Sequence, residues 1–367
     1  MFPYIIDFGV KMKSVKPEEL YYKLKEYEFG PFIGVADSLF GGFFNYLESL
    51  NEYIPAANEG LALSMASGSY LAGKKPVVLL QNAGIGNLIN PQTSLNDLYE
   101  IKSLLLIGWR GNPNYPEDAP EHLLMGKKTL DFLESANIET KVLESLDDIE
   151  WTNNKLKSHN TIALLINPGS IGNYEKEVNN KYEMSRYKAI ETIARHTNNM
   201  IRFSTTAMIS RELYEIDDSV KNFYTIGSMG HIGAIALGTA LQKNEKVVVI
   251  DGDGALLMHL GILSTIGNLK PKNLLHICLD NESYSSTGSQ STTSNTTYLD
   301  KVALDCGYND TKIILTENEL EDKLKEMLNI NGPNFLLVKI KPGNKKDIKR
   351  IELNPKEITK RFMDAIK

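Results

Sequence analysis

Cysteine is scarce in this sequence, which has only two in 367 residues, Cys278 and Cys306. Cys278 lies in the mostly apolar run 274–279, a setting typical of a buried thiol. Two cysteines in this pattern indicate neither a disulfide framework nor a metal-binding knuckle. Apolar residues make up 42% and charged residues 23% of the chain, as in an average soluble globular protein.

Long hydrophobic runs are also missing. No apolar stretch approaches the roughly 18–20 residues that span a bilayer, and residues 1–7 lack the basic start and small-residue cleavage site of a signal peptide. We therefore expect a cytoplasmic protein with no membrane partner. The formal net charge of −6 favours solubility and gives no reason to expect a nucleic acid partner.

The chain is long enough for two ordinary domains, each with its own core. Short apolar runs alternate with helical patterns, which predicts parallel sheets covered by helices on both faces. The expected fold class is α/β, with two doubly wound parallel-sheet domains at 1–170 and 187–367 and a linker at 171–186. A helix is expected at 59–72. The predicted strands are 32–35, 77–81, 104–108, 162–166, 223–226, 246–250, 274–279 and 335–340.

The segment 283–297 differs from the rest because eleven of its residues are Ser or Thr. Such a segment is too polar to form a strand in the core. Two interpretations stay open, an ordered loop at an active site and a mobile loop.

A Gly-Asp-Gly turn at 252–254 follows a predicted buried strand, and a helix is expected to begin at Ala255. Glycines permit a tight turn and close approach of a ligand, and a helix start offers unpaired N–H groups to a phosphate. Asp253 can bind a hard divalent cation through oxygen. Asn281 follows at the end of the next predicted strand, so both residues lie where open α/β sheets bind ligands. A capping Asp in a structural turn is the alternative.

This arrangement resembles the signature of thiamine-diphosphate-dependent enzymes. The resemblance implies that Mg²⁺ is bound by Asp253, Asn281 and the carbonyl of Ser283, and that Gly252, Gly254 and Ala255 contact the cofactor. In such enzymes a glutamate that opens a helix in the other domain activates the aminopyrimidine ring, and Glu59 has this position in Asn58-Glu59-Gly60. The alternative is an exposed acid in the first turn of a helix.

A second element of these enzymes matches Gly227-Ser228-Met229-Gly230-His231. The resemblance implies that Met229 wedges under the cofactor and that Gly227 and Ser228 contact it, with ordinary core packing as the alternative for Met229. His231 and His259 are possible acid–base groups, although His259 is more simply explained by packing on the helix after Asp253.

Nearly the whole chain resembles the phosphonopyruvate decarboxylase family, in which the third domain of familiar thiamine enzymes is missing. The matching stretches are 34–39, 56–60, 80–87, 90–95, 108–111, 227–231 and 286–290.

This resemblance implies a pyrimidine-binding domain followed by a diphosphate-binding domain. The implied reaction is non-oxidative decarboxylation of phosphonopyruvate to phosphonoacetaldehyde and CO₂, in phosphonate biosynthesis, with thiamine diphosphate and Mg²⁺ as cofactors. A homodimer or larger homo-oligomer with sites at the subunit interface is also implied. The alternatives are a decarboxylase of sulfopyruvate or another 2-keto acid, a catalytically silent thiamine-diphosphate-binding protein, and a different nucleotide-binding α/β protein.

Two positions depart from the family pattern and leave the exact 2-keto acid open. Met208 replaces a lysine that could meet an anion, and Ser285 replaces an acidic residue. Arg110, at the end of a predicted strand, is the expected phosphonate partner, because guanidinium is planar and always charged; a structural ion pair is the alternative. The other expected substrate contacts are Asp37, Ser38, Asn82 and Ser285.

Overall fold

The computed structural model describes residues 14–177 and 181–367. The signal-peptide prediction for residues 1–7 and the part of the predicted linker at 178–180 lie outside the described residues. The chain divides between Lys176 and Glu177 into two compact units, each built on one six-stranded parallel sheet. We call them the N-terminal unit and the C-terminal unit. In the described ranges, no helix is both long enough and apolar enough to cross a membrane.

The sheet of the N-terminal unit has the strand order β2-β1-β3-β4-β6-β5. Its strands are β1 (Phe29–Gly34), β2 (Tyr53–Pro55), β3 (Lys75–Gln81), β4 (Ser103–Gly108), β5 (Glu139–Val142) and β6 (Thr161–Ile166). Its α-helices are α1 (Pro17–Glu26), α2 (Gly41–Ser49), α3 (Glu59–Leu71), α4 (Ile85–Pro91), α5 (Pro120–Ser135) and α6 (Asp147–Lys155).

The sheet of the C-terminal unit has the strand order β13-β14-β10-β9-β7-β8. Its strands are β7 (Ile201–Ser204), β8 (Asn222–Tyr224), β9 (Val247–Gly252), β10 (Leu274–Asp280), β13 (Asp310–Ile314) and β14 (Asn334–Lys339); β11 (Ser283–Tyr284) and β12 (Gln290–Ser291) form a separate hairpin. Its α-helices are α7 (Arg186–His196), α8 (Met208–Ile216), α9 (Ile232–Ala240), α10 (Asp253–Met258), α11 (Ile262–Leu269), α12 (Leu299–Asp305), α13 (Glu317–Asn329) and α14 (Pro355–Ala365).

Each sheet has an apolar core on both of its faces. In β3, Val77 and Leu79 join one cluster of buried residues, whereas Val78 and Leu80 join another. Successive residues of a strand point to opposite faces, so a strand covered on both sides must be apolar throughout. The α/β class with two parallel sheets is therefore confirmed.

Each predicted strand overlaps an observed one, and the predicted helix at 59–72 is α3, which ends at Leu71. The helix expected to begin at Ala255 begins two residues earlier, at Asp253. The segment 283–297 contains the β11–β12 hairpin and a short 3₁₀ helix, Thr293–Asn295, which agrees with the ordered-loop interpretation.

Candidate active site

A cavity in the C-terminal unit lies where neighbouring parallel strands end. Strands β9 and β10 pair in parallel, with Gly252 opposite Leu279, so the residues that follow them meet at one edge of the sheet. The loop after β7 and Met229 add to the lining. The predicted cofactor and metal residues that line this cavity are Met229, Gly252, Asp253, Gly254, Ala255, Asn281 and Ser283. Gly227 and Ser228 are not among its lining residues and stay predictions.

Asp253 is the first residue of α10, and its carboxylate is buried. Its Oδ2 accepts hydrogen bonds from Thr292 Oγ1 at 2.6 Å and from Ser294 Oγ at 3.2 Å. Burial and the nearby charge of Asp280 raise the pKa of Asp253 to about 7, although the two hydroxyl groups favour its ionised form. A buried carboxylate so close to a second acid is stabilised by a bound cation.

Asn281 directly follows β10, and its side chain organises the next residues. Its Oδ1 accepts the backbone N–H of Ser283 at 3.1 Å, and its Nδ2 donates to Ser285 Oγ at 2.6 Å. An amide oxygen has two lone pairs, so Oδ1 keeps one for another partner. The carboxylate of Asp253, the amide oxygen of Asn281 and a backbone carbonyl are the hard oxygen donors that Mg²⁺ prefers.

The cavity also has features that suit a phosphate-bearing ligand. Thr205 Oγ1 lines it, is buried, and has no hydrogen-bond partner within the described residues, so it is available to a ligand oxygen. A Cβ added at Gly252 would have Cδ1 of Ile209 as its nearest neighbour, at a distance of 3.4 Å. At Gly254 a Cβ would lie 2.4 Å from the ring of Tyr284, so only glycine permits that packing. The residues present therefore fit a magnesium-bound diphosphate.

Sequence reasoning missed Thr205, Thr292 and Ser294. Thr292 and Ser294 belong to the polar segment 283–297, yet both are buried. A run of Ser and Thr that is ordered by burial implies acceptors inside the protein, and here the acceptors are the carboxylates of Asp253 and Asp280.

In the N-terminal unit, Glu59 is the first residue of α3, and the side chain of Asn58 caps this helix by accepting the N–H of Leu61 at 3.0 Å. Glu59 is buried, unlike the exposed acid of the alternative interpretation. Its Oε2 accepts from Asn87 Nδ2 at 2.7 Å. Burial raises the pKa of Glu59, and the Asn87 hydrogen bond opposes this shift. A Cβ at Gly84 would lie 2.3 Å from the carboxyl group, so glycine there makes room for the glutamate.

Arg110 follows β4 and makes a bidentate ion pair. Its Nε and Nη2 donate to the two carboxylate oxygens of Asp118, both at 2.6 Å, and its Nη1 donates to Ser38 Oγ at 2.9 Å. Asn82 holds the same backbone, because it donates to the carbonyl of Arg110 at 2.8 Å and accepts its N–H at 3.2 Å. The guanidinium holds the pKa of Asp118 well below its usual range. The structural ion pair that was the alternative interpretation of Arg110 is thus present, and Nη1 of its guanidinium faces Ser38.

Asp37 lies fully buried after β1. Its Oδ1 accepts from Gln81 Nε2 at 3.2 Å and from the N–H of Leu39 at 3.3 Å, whereas Oδ2 has no partner in the described structure. Burial raises the pKa of Asp37 to about 6. A Cβ at Gly108 would lie 1.6 Å from Oδ2, so this glycine is required by the buried acid.

Residues 204–338 match the family described as "Thiamine pyrophosphate enzyme, C-terminal TPP binding domain". The "Phosphonopyruvate decarboxylase" of Streptomyces viridochromogenes is 32% identical to this chain over 334 residues, which cover 84% of each chain. This chain belongs to the phosphonopyruvate decarboxylase family.

Sulfopyruvate decarboxylases are also similar to this member of the phosphonopyruvate decarboxylase family. The "Sulfopyruvate decarboxylase" of Methanosarcina acetivorans is 30% identical over 355 residues, which cover 88% of this chain and 91% of the relative. The "Sulfopyruvate decarboxylase subunit beta" of Methanococcus maripaludis is 41% identical over 185 residues, which cover 50% of this chain and 99% of the relative.

The two departures from the phosphonopyruvate decarboxylase pattern, Met208 and Ser285, both line the cavity that contains Asp253. The two histidines considered as acid–base groups lie together, with ring centroids 4.3 Å apart. His231 is exposed, whereas His259 Nε2 is buried without a partner in the described residues. Burial and the neighbouring His231 lower the pKa of His259, which favours a neutral packing role.

Proposed function

We propose that this protein decarboxylates phosphonopyruvate to phosphonoacetaldehyde and CO₂ with thiamine diphosphate and Mg²⁺. One observation carries the proposal: the buried carboxylate of Asp253 and the oxygens of Asn281 and Ser283 meet in one cavity, in a chain 32% identical to a phosphonopyruvate decarboxylase. The N-terminal unit is proposed to bind the pyrimidine and the C-terminal unit the diphosphate.

The side chains of Asp253 and Asn281 and the carbonyl of Ser283 would hold Mg²⁺, and the hydroxyl of Thr205 would donate to a diphosphate oxygen. Met229, which lines the same cavity, would contact the cofactor. When bound, thiamine diphosphate supplies the electron sink for cleavage of the bond to the carboxylate. Glu59 would exchange a proton with the aminopyrimidine ring, and its burial suits that role because a dry site strengthens such a hydrogen bond.

Recognition of a second anionic group on the substrate is assigned to Arg110. Of the residues that line the C-terminal cavity, Arg186 is the basic one. Like Arg110 it is paired with a carboxylate, that of Glu212, but its side chain is more deeply buried, with 7% exposed against 19% for Arg110. Arg110 offers its Nη1 edge beside Ser38, and the carboxylate of Asp118 fixes the guanidinium plane. A guanidinium group that is fixed in orientation and always charged is well suited to bind a phosphonate.

Sulfopyruvate is the second candidate substrate. A sulfonate carries one negative charge where a phosphonate carries up to two, so it needs less cationic surroundings. The uncharged Met208 in the cavity favours this candidate, as does the 30% identity to a sulfopyruvate decarboxylase.

Steady-state assays with phosphonopyruvate, sulfopyruvate and pyruvate test the proposal. The expected result is the highest kcat/KM on phosphonopyruvate, dependent on added thiamine diphosphate and Mg²⁺. A higher value on sulfopyruvate would replace the first candidate with the second. Binding of thiamine diphosphate in calorimetry without turnover of any 2-keto acid would indicate a silent binding protein, and no binding would contradict the whole assignment.

We further propose a homodimer or larger homo-oligomer in which each site combines residues from two subunits. The apolar residues on exposed faces support an assembly: α3 exposes Leu61, Met65 and Leu71, and α9 exposes Ile235. The exposed positions of both helices carry no charged residue, as expected for helices that become buried.

Mixing two inactive variants, Glu59→Gln and Asp253→Ala, tests this shared site. After subunit exchange, a mixed dimer would contain one site with both defects and one with neither, so activity should return. Proven exchange without any activity, or a fully active monomer, would contradict the shared site.

A further inference from the structure

Two buried hydroxyl groups contact the proposed metal ligand of the C-terminal unit. We propose that Thr292 and Ser294 are positioning residues that hold the carboxylate of Asp253 for the cation and thereby set the affinity for Mg²⁺. This inference rests on the proposed function, because it requires Asp253 to be a metal ligand.

Both hydroxyl groups approach the same carboxylate oxygen. Thr292 Oγ1 lies 2.6 Å and Ser294 Oγ 3.2 Å from Oδ2 of Asp253. Neither hydroxyl contacts Oδ1, which leaves that oxygen for a cation. A ligand carboxylate anchored through one oxygen cannot rotate freely, so its other oxygen keeps one direction.

The segment that carries the hydroxyl groups is itself fixed. The side chains of Thr292 and Ser294 are each 3% exposed, and their oxygens are 2.9 Å apart. The backbone N–H of Thr292 donates to the carbonyl of Glu282 at 3.1 Å, next to Asn281. The polar segment is therefore anchored at Asp253 and at the residue that follows Asn281.

The geometry also ranks the two residues. A hydroxyl has one proton, and Ser294 Oγ lies closer to Oδ1 of Asp280, at 2.8 Å, than to Asp253. Thr292 has Asp253 as its carboxylate acceptor at 2.6 Å. Loss of the Thr292 hydroxyl should therefore weaken Mg²⁺ binding more than loss of the Ser294 hydroxyl.

The test is a calorimetric titration of apoenzyme with MgCl₂ at saturating thiamine diphosphate. Thr292→Val keeps the shape of the side chain and removes the hydroxyl, and we expect the apparent Kd for Mg²⁺ to rise by about 10- to 100-fold. Thr292→Ser restores the donor and should stay near the wild-type value. Ser294→Ala should show a smaller increase, of about tenfold or less, which is the low limit for such neighbours of a ligand.

Thr296→Val is the matched control, because Thr296 lies in the same segment, is exposed, and among the described residues donates its hydroxyl to the carbonyl of Thr293 alone. Its Mg²⁺ affinity should equal that of the wild type. Unchanged affinity in Thr292→Val, even with a lower melting temperature, would overturn the inference and reduce the hydroxyl to a purely structural role. If Thr292→Val does not fold, unchanged affinity in Ser294→Ala overturns it instead. A wild-type protein without magnesium-dependent cofactor binding would overturn the proposed function itself and the inference with it.

Discussion

The buried acid Asp37 allows the electrostatics of the N-terminal unit to be tested by one substitution. Its pKa rises from the ordinary 3.8 to about 6 because the group is fully buried. At about 1.4 kcal/mol per pH unit, this difference corresponds to about 3 kcal/mol. Asp37→Asn removes the charge and keeps an oxygen that can accept from Gln81 and Leu39.

Whether the unfolding free energy rises or falls with pH depends on whether the folded or the unfolded chain holds the proton of Asp37. Below pH 3.8, both the folded and the unfolded chain hold the proton. Between pH 3.8 and about 6 only the folded chain holds it, so the wild-type protein loses about 3 kcal/mol of unfolding free energy as the pH rises through this window. Asp37→Asn has no such loss. Its unfolding free energy relative to the wild type should therefore increase by about 2.5 kcal/mol from pH ~4 to pH ~7.

Asp37→Asn also changes the unfolding free energy in a second way, which does not depend on pH. The new amide group would place an N–H donor against Gly108, where Oδ2 now has no partner in the described residues, at a cost of about 1–3 kcal/mol. The change with pH, rather than the difference at one pH, is thus the quantity to measure.

Chemical denaturation followed by tryptophan fluorescence reports on this unit alone, because both tryptophans, Trp109 and Trp151, lie in it. Asp118→Asn is the control: the pKa of Asp118 is lowered by Arg110, so its contribution to stability is lost only as the pH falls below 3.8 and its effect should be flat from pH ~5 to pH ~7. A difference between Asp37→Asn and the wild type that is equally flat from pH ~4 to pH ~7 would refute the reasoning.

Three further outcomes are expected. Glu59→Gln should fold and bind cofactor but lose about 100-fold or more in kcat, because an amide cannot exchange the proton; near-normal turnover would exclude Glu59 from that role. Arg110→Ala should raise the KM for phosphonopyruvate about 10- to 100-fold and that for pyruvate much less, whereas equal losses would favour a structural ion pair. Ala207 has φ 63° and ψ −130° beside the cavity, so Ala207→Gly should stabilise the protein by about 1 kcal/mol, measured by thermal unfolding; a destabilised variant would show that the alanine is not strained.

The sequence predicted most of the strands that are buried on both faces, because double burial forces a continuous apolar run. Strand β7, with the sequence Ile-Arg-Phe-Ser, is buried throughout but was missed, because the buried Arg202 interrupts its apolar run. Strand β5, with the sequence Glu-Thr-Lys-Val, is partly exposed throughout and gave no such run, and β13 is also largely polar at its start. Sequence motifs likewise located Asp253 and Glu59. Their partners Thr292 and Asn87 could not be found in this way, because each is brought to its carboxylate by the fold from 39 and 28 residues away.

Since each unit encloses its own sheet between its own apolar layers, a break in the chain between Lys176 and Glu177 would cut through neither core. The two halves could then be made as separate polypeptides, inherited on separate genes and exchanged between lineages without loss of foldability. Relatives called alpha and beta subunits of sulfopyruvate decarboxylase match about 25% and 50% of this chain. We therefore expect that continuity of the polypeptide mainly ensures equal amounts of the two halves, and that each half folds when it is produced alone.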